Sequence, residues 1–320
     1  MPFLSRRRRA LTALAVACLL PAAANAQQFI NILTGGTSGV YYPLGVALGK
    51  IYGEKIPGVK TQVQSTKASV ENLNLLQRGR GELALTLGDS LKLAWEGDAD
   101  LGFPAKLGKL RGVAAVYPNY IQIVASQASG IQTFADLKGK SLSVGAAKSG
   151  TELNARAIFK AAGLSYNDLA KTEYLPFGES VELIKNRQLD ATLQSAGLGV
   201  ASIRDLASSV KIHVVPIPKE VVAKVGSPAY VPTVIPANTY TGQTADVPTA
   251  AIPNFLVTQS KVPDELVYQM VKAMYGNLDT LYAAHNAAKN IKLENALTGM
   301  PIPLHPGAER YYREVGLIKK

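Results

Sequence analysis

Short apolar runs with strand character alternate with segments of helical period from residue 29 onward, and this alternation constrains the chain more than any other feature. Residues 29–33, 60–64 and 83–87 read as strands, separated by helices over 40–52 and 70–76 and followed by a short helix over 90–95. The order is βαβαβ, whose usual solution is a parallel sheet with helices on both faces. A second run repeats it, with strands over 141–144, 171–175, 191–193 and 211–215 and helices over 151–162, 180–186 and 200–207. Two α/β units of similar size predict two lobes with a groove between them.

The connecting segments complete this plan. A β-rich stretch over 113–125, broken at Pro118, links the units; 229–240, with Pro232 and Pro236, returns the chain. Residues 250–258 read as a strand that completes the first sheet, and 263–282 as helix. The expected division is 27–117 with 236–320 in lobe 1, and 118–235 in lobe 2 with the crossings. Two crossings make a hinge, and hinged lobes close around ligands.

Residues 1–26 read as a cleaved signal peptide. Arg6, Arg7, Arg8 and Arg9 precede an apolar run over 10–20, and Ala24-Asn25-Ala26 supplies small residues before a cleavage at Gln27. The apolar run is short for a membrane anchor. Lipidation of Cys18 is the other alternative, on a weak match at Ala15-Val16-Ala17. Cleavage would remove four arginines, no acids and the only cysteine, lowering the formal charge from +11 to +7. That surplus is scattered, unlike the dense basic stripe with aromatic platforms that nucleic acid draws, so no nucleic-acid partner is expected. The mature chain reads as a soluble, monomeric, extracytoplasmic protein.

Two loops carry the chemistry. Thr34-Gly35-Gly36-Thr37-Ser38-Gly39-Val40-Tyr41-Tyr42-Pro43 lies between a strand and a helix, where glycines allow close approach and unpaired N–H groups with the helix dipole favour an anion. It lacks the lysine of a nucleotide loop and the glycine spacing of a dinucleotide loop. Gly145-Ala146-Ala147-Lys148-Ser149-Gly150-Thr151-Glu152 repeats the arrangement in the other unit. Ligands bind outside the carboxyl ends of parallel strands, so facing lobes would aim both helix N-termini into one cleft. A tight strand-to-helix turn is the plainer reading of either loop. Gln64, Ser65 and Thr66 would sit at the cleft rim. Ser69 reads as a helix N-cap, and Asp89 as either a cap or an acceptor for a ligand ammonium.

Together the blocks 34–43, 64–72, 145–152, 230–240 and 305–317 resemble the TAXI family of TRAP transporter solute-binding proteins, in order and spacing over nearly the whole mature chain. The resemblance implies a type II periplasmic binding protein fold: two α/β lobes, each a mostly parallel sheet flanked by helices, joined by a hinge of two crossings. It also implies a periplasmic protein that hands a small organic anion, a glutamate-like amino acid or a dicarboxylate, to a TRAP-type permease. By the same resemblance Gly36, Thr37, Gly39 and Tyr41 match the first ligand loop, Gln64, Ser65 and Thr66 the second segment, and Ser149, Gly150 and Thr151 the loop of lobe 2. Lys67 and Lys148 stand where the family commonly has glycine, and would favour a doubly negative ligand if they flank the cleft; the alternative is ordinary surface lysines. Thr192, Gln194 and Ser195 replace a more aromatic stretch and suggest a polar wall, with Gln194 a further ligand contact.

Neither cofactor, metal nor catalysis is expected. His213, His285 and His305 lack the spacing of a helical metal site. Lys148-Ser149-Gly150 and Ser208-Ser209-Val210-Lys211 stand in reversed order for a penicillin-binding enzyme, and no Gly-x-Ser-x-Gly elbow occurs. A ligand-binding component docking on a membrane histidine kinase, or a periplasmic enzyme, remain the alternative functions.

Overall fold

The computed structural model describes residues 28–319; the signal peptide read over 1–26, with Cys18, lies outside them. Strands β1 (Gln28–Leu33), β2 (Val59–Gln64) and β3 (Leu83–Leu87) pair in parallel in the order β2-β1-β3. Each is followed by a helix: α1 (Tyr41–Lys55), α2 (Ser69–Gln77) and α3 (Gly88–Glu96). Alternation along β1 sends Ile30 and Ile32 to one face, where they pack with Leu44, Leu48, Ile51 and Tyr52 of α1. Leu33 goes to the other face, against Leu73 and Leu76 of α2 and Leu91 of α3.

The long strand β4 (Leu110–Ser126) leads into β5 (Ser141–Ser143), α4 (Gly150–Ala161), β6 (Lys171–Glu173), α5 (Phe177–Lys185), β7 (Ala191–Ala196) and α6 (Ala201–Ser209). β5 pairs in parallel with β6 and β7, around a second core of Ile121, Ile123, Leu142, Ile158, Phe159 and Leu193. There follow β8 (Ile212–Val215), α7 (Lys219–Lys224), β9 (Val231–Ile235) and β10 (Val247–Gln259). The last helices are α8 (Asp264–Tyr275), α9 (Leu278–Ala284) and α10 (Pro306–Glu314). The helix read over 263–282 is thus two, divided at Gly276 and Asn277.

The halves are joined by β4 and β10, which run antiparallel through both. β4 pairs with the end of β10 over its first residues, and with β7 and β8 over its last. β10 pairs with β9 at its start and with β3 near its end. Where they pass between the halves Pro118 faces Pro253, and the register slips just beyond. Two prolines supply no ladder N–H groups, so the pairing is weakest there, yet β4 continues through Pro118 where the sequence suggested a break. After β9 the Tyr240 hydroxyl accepts from Gly199 N–H, and Ala250 and Ile252 of β10 belong to the second core.

Candidate ligand site between the two halves

The carboxyl ends of β1, β2 and β3 face those of β5, β6 and β7 across a cavity of about 380 Å³. The first half contributes Gly35–Tyr41, Ser65–Ser69 and Leu87, and the second contributes Ala146, Ser149–Thr151, Pro176–Glu179 and Ser195–Ala196. Tyr117 and Asn119 enter from β4, on either side of Pro118. The volume lies near the lower end of the range for small-molecule sites, about 300–1,000 Å³.

Local hydrogen bonds hold the first wall. Asn72 donates through Nδ2 to the Thr34 and Leu85 carbonyls at 2.7 and 2.9 Å, the Thr66 hydroxyl donates to Thr34 O at 3.0 Å, and the Ser65 hydroxyl to Gly35 O at 3.0 Å. These bonds fasten the β1–α1 loop to the β2–α2 loop. Ala68 sits between them with φ 67° and ψ −145°, a conformation that side-chain-bearing residues rarely adopt. Such strain persists where the surroundings enforce it, commonly at functional sites.

The inner wall of the site presents mainly hydrogen-bonding groups, with charged side chains only at exposed positions. Among the described residues the N–H groups of Thr37, Ser38, Gly150 and Thr151 have no backbone partner, the last two because they open α4. Ser149 caps that helix, its hydroxyl accepting from Glu152 N–H at 3.1 Å. The Tyr41 hydroxyl bonds to Asn254 Oδ1, while Asn254 Nδ2 donates to Tyr117 O at 2.9 Å. Burial pushes both the Tyr41 and the Tyr117 phenol well above the usual tyrosine range, so both stay protonated. Tyr117 OH, Asn119 Oδ1 and Ser195 Oγ are buried with no partner among the described residues. Lys67 and Glu179 line the cavity from exposed positions, one in each half.

Of the residues singled out in the sequence, Gly36, Thr37, Gly39, Tyr41, Ser65, Thr66, Lys67, Ser149, Gly150 and Thr151 line this one cavity. Gln64, Asp89, Lys148 and Gln194 do not. Gln64 ends β2, and its Oε1 accepts from Asn31 Nδ2 at 2.9 Å. Gln194 is fully buried, and its Oε1 accepts from Ser202 of α6 at 2.6 Å; strand alternation puts its neighbour Ser195 on the cavity side instead. Lys148 is exposed, with a left-handed φ of 61°, a conformation that glycine adopts more readily than lysine. Asp89 is buried beneath α4 and accepts from Asn154 and Tyr230. Ser69 is not a cap: its hydroxyl accepts from Leu87 N–H at 3.1 Å and lines the cavity. The sequence reading missed Tyr117, Asn119 and Phe177–Glu179; the polar Asn119 beside Pro118, within an apolar strand, was the one signal available.

Residues 32–316 match the NMT1-like family. Among solved structures, PhnD1 from Prochlorococcus marinus, determined with methylphosphonate, is 11% identical with a TM-score of 0.58, over 91% of this chain and 100% of that one. The periplasmic binding protein BugD is 12% identical with a TM-score of 0.58, over 92% of this chain and 99% of its own. At these identities the likeness concerns the fold, which is that of the type II periplasmic binding proteins. A match over nearly all the described residues, together with this fold, makes the chain a member of the NMT1-like family.

Proposed function

We propose that this protein is an extracytoplasmic solute-binding protein that captures a glutamate-like amino acid between its halves and delivers it to a membrane permease, of the TRAP type by its TAXI-like loops. The export signal read over 1–26 supports a periplasmic location. The halves act as lobes that close over the ligand, with the crossings at Pro118 and Pro253 as hinge. The unpaired N–H groups of Thr37, Ser38, Gly150 and Thr151 receive carboxylate oxygens from both sides. The polar part of the lining consists largely of backbone N–H groups and hydroxyls, which suits recognition of a carboxylate.

The observation that supports an amino acid over a plain dicarboxylate is Asn119. Its Nδ2 donates to Ser195 O at 2.8 Å, which fixes the amide orientation and leaves Oδ1 as a buried acceptor without a donor. A buried acceptor left unpaired costs about 1–3 kcal/mol, and a ligand ammonium would relieve it. Dicarboxylates carry no such donor. With Lys148 outside the cavity, only Lys67 remains to favour a second negative charge.

Thermal shifts of ligand-stripped protein with L-glutamate, L-aspartate, succinate and methylphosphonate test the reading. An amino acid at about one hundred times its Kd adds about 2.7 kcal/mol to stability. Equal stabilisation by succinate would refute the role of Asn119, and no response to any of the four would refute small-anion binding.

A further inference from the structure

Three side chains outside the cavity link the two halves. Asp89 lies in the first turn of α3, Asn154 lies one turn into α4, and Tyr230 belongs to the second core just before β9. Asn154 Nδ2 donates to Asp89 Oδ2 at 2.6 Å, and the Tyr230 hydroxyl donates to the same oxygen at 2.8 Å. The other oxygen accepts from Ser90 N–H at 2.7 Å, and Asn154 Nδ2 also lies 2.9 Å from the Tyr230 oxygen. Asp89, Asn154 and Tyr230 are 6%, 0% and 7% exposed. One residue before Asn154, Leu153 of the second half packs in the first-half core with Leu33, Val70 and Leu91. Five residues before Asn154 begins the turn that carries the unpaired N–H groups of Gly150 and Thr151 into the ligand site.

A buried carboxylate is costly to desolvate, and its net value to stability is small even when it is well bonded. Its geometry, in contrast, is demanding: two donors from two segments of the second half, Asn154 and Tyr230, meet one carboxyl oxygen of the first only in a single relative placement of the halves. We propose that Asp89, Asn154 and Tyr230 are positioning residues, an interlobe clasp that forms on closure and sets the start of α4 against the ligand site. The clasp holds a fraction of the ligand-free protein closed, and because only that fraction binds without rearrangement, loss of the clasp weakens every ligand by a common factor. The effect on affinity rests on the cleft being the ligand site; the effect on the ligand-free protein does not.

The donor pattern allows a swap. Asp89→Asn alone sets two amides against each other, and Asn154→Asp alone sets two carboxylates. The double variant exchanges the two groups, so that the introduced amide still accepts from Ser90 N–H and donates across the interface, and Tyr230 donates to the relocated carboxylate. Spin labels on Lys60→Cys and Lys171→Cys report the separation of the outermost strands β2 and β6, and no other cysteine lies beyond residue 26. In ligand-free protein each single variant should move the distance distribution to longer values, and the double variant should restore it. Affinity for L-glutamate should fall about 10- to 100-fold in the singles, with the preference over L-aspartate unchanged, and recover in the double variant. If a single variant does not fold, Tyr230→Phe removes one hydroxyl and should give a smaller shift in the same direction. Unchanged distances in all folded variants, or no recovery in the double variant, would overturn the clasp. Failure of L-glutamate to bind even the unaltered protein would instead overturn the ligand reading, and the ligand-free distances would still judge the clasp.

Discussion

Gly150 offers the sharpest test of whether the halves separate. A methyl group added there would lie 2.6 Å from Leu87 Cδ1, 2.6 Å from Ser69 Oγ and 2.9 Å from Ser69 Cβ. Carbon atoms in contact prefer roughly 3.5–4.0 Å, so the halves must part by about 1 Å at this point. Neither neighbour yields easily: Leu87 and Ser69 are buried, and Ser69 is held by Leu87 N–H. Overpacking of this kind costs about 1–3 kcal/mol. The clash exists only when α4 meets the first half, so the cost falls on closing and leaves folding alone. The Kd of Gly150→Ala for L-glutamate should therefore rise about 5- to 150-fold by calorimetry. The melting temperature of the ligand-free variant should hold or rise slightly, since alanine is the better helix residue by up to about 1 kcal/mol. A ligand-free melting temperature lowered by several degrees with an unchanged Kd would refute the reasoning, because the contact would then be permanent and part of the folded core.

Gly36 has nothing within 4 Å of its missing side chain, so Gly36→Ala should leave ligand-free stability unchanged and weaken L-glutamate binding, as calorimetry on both states would show; unaltered affinity would place the ligand elsewhere. Lys148→Gly relieves a left-handed backbone at an exposed position, and chemical denaturation should find it more stable by about 1 kcal/mol with affinity unchanged. His285 and His305 each accept a backbone N–H through Nδ1, from Ala287 at 3.1 Å and Gly307 at 3.2 Å, and burial holds both imidazoles below the usual histidine range. A lowered folded-state pKa means that stability is complete above the unfolded value of about 6.5 and is lost as pH falls below it towards the folded values. Melting temperature should be level from pH 8 to 7 and decline towards pH 5, less so in His305→Asn, and a flat profile would refute the capping role.

The strands and helices of both halves were legible because periodicity is local: apolar alternation in 29–33 and the 44, 48, 51 spacing in α1 need no knowledge of partners. The two glycine loops were legible for the same reason, since a strand, a turn and a helix start are contiguous. What local pattern could not show was how β4 and β10 are shared. Pro118 reads as a break in isolation, and only the opposed Pro253 reveals one strand pair serving both halves. Tyr117 and Asn119 were missed with it, because their place in the site depends on that crossing.

Asp89 shows the same limit from the other side. Its position after a strand made it a ligand contact or a helix cap, and a carboxylate there has chemistry enough for either. Its actual partners lie 65 and 141 residues further along the chain, on α4 and before β9. Lys148 reads in the sequence as either a cleft residue or a surface lysine, and Gln194 as part of a polar wall; neither lines the cavity, Lys148 lying on a left-handed turn and Gln194 on the alternate face of β7. Residue type at a strand end therefore locates a site, and the cross-chain contacts decide whether a given side chain meets the ligand or holds together the walls that do. In this protein the walls are joined through a buried carboxyl group, which burial pushes above the usual carboxylate range, and the cavity is lined largely by neutral groups.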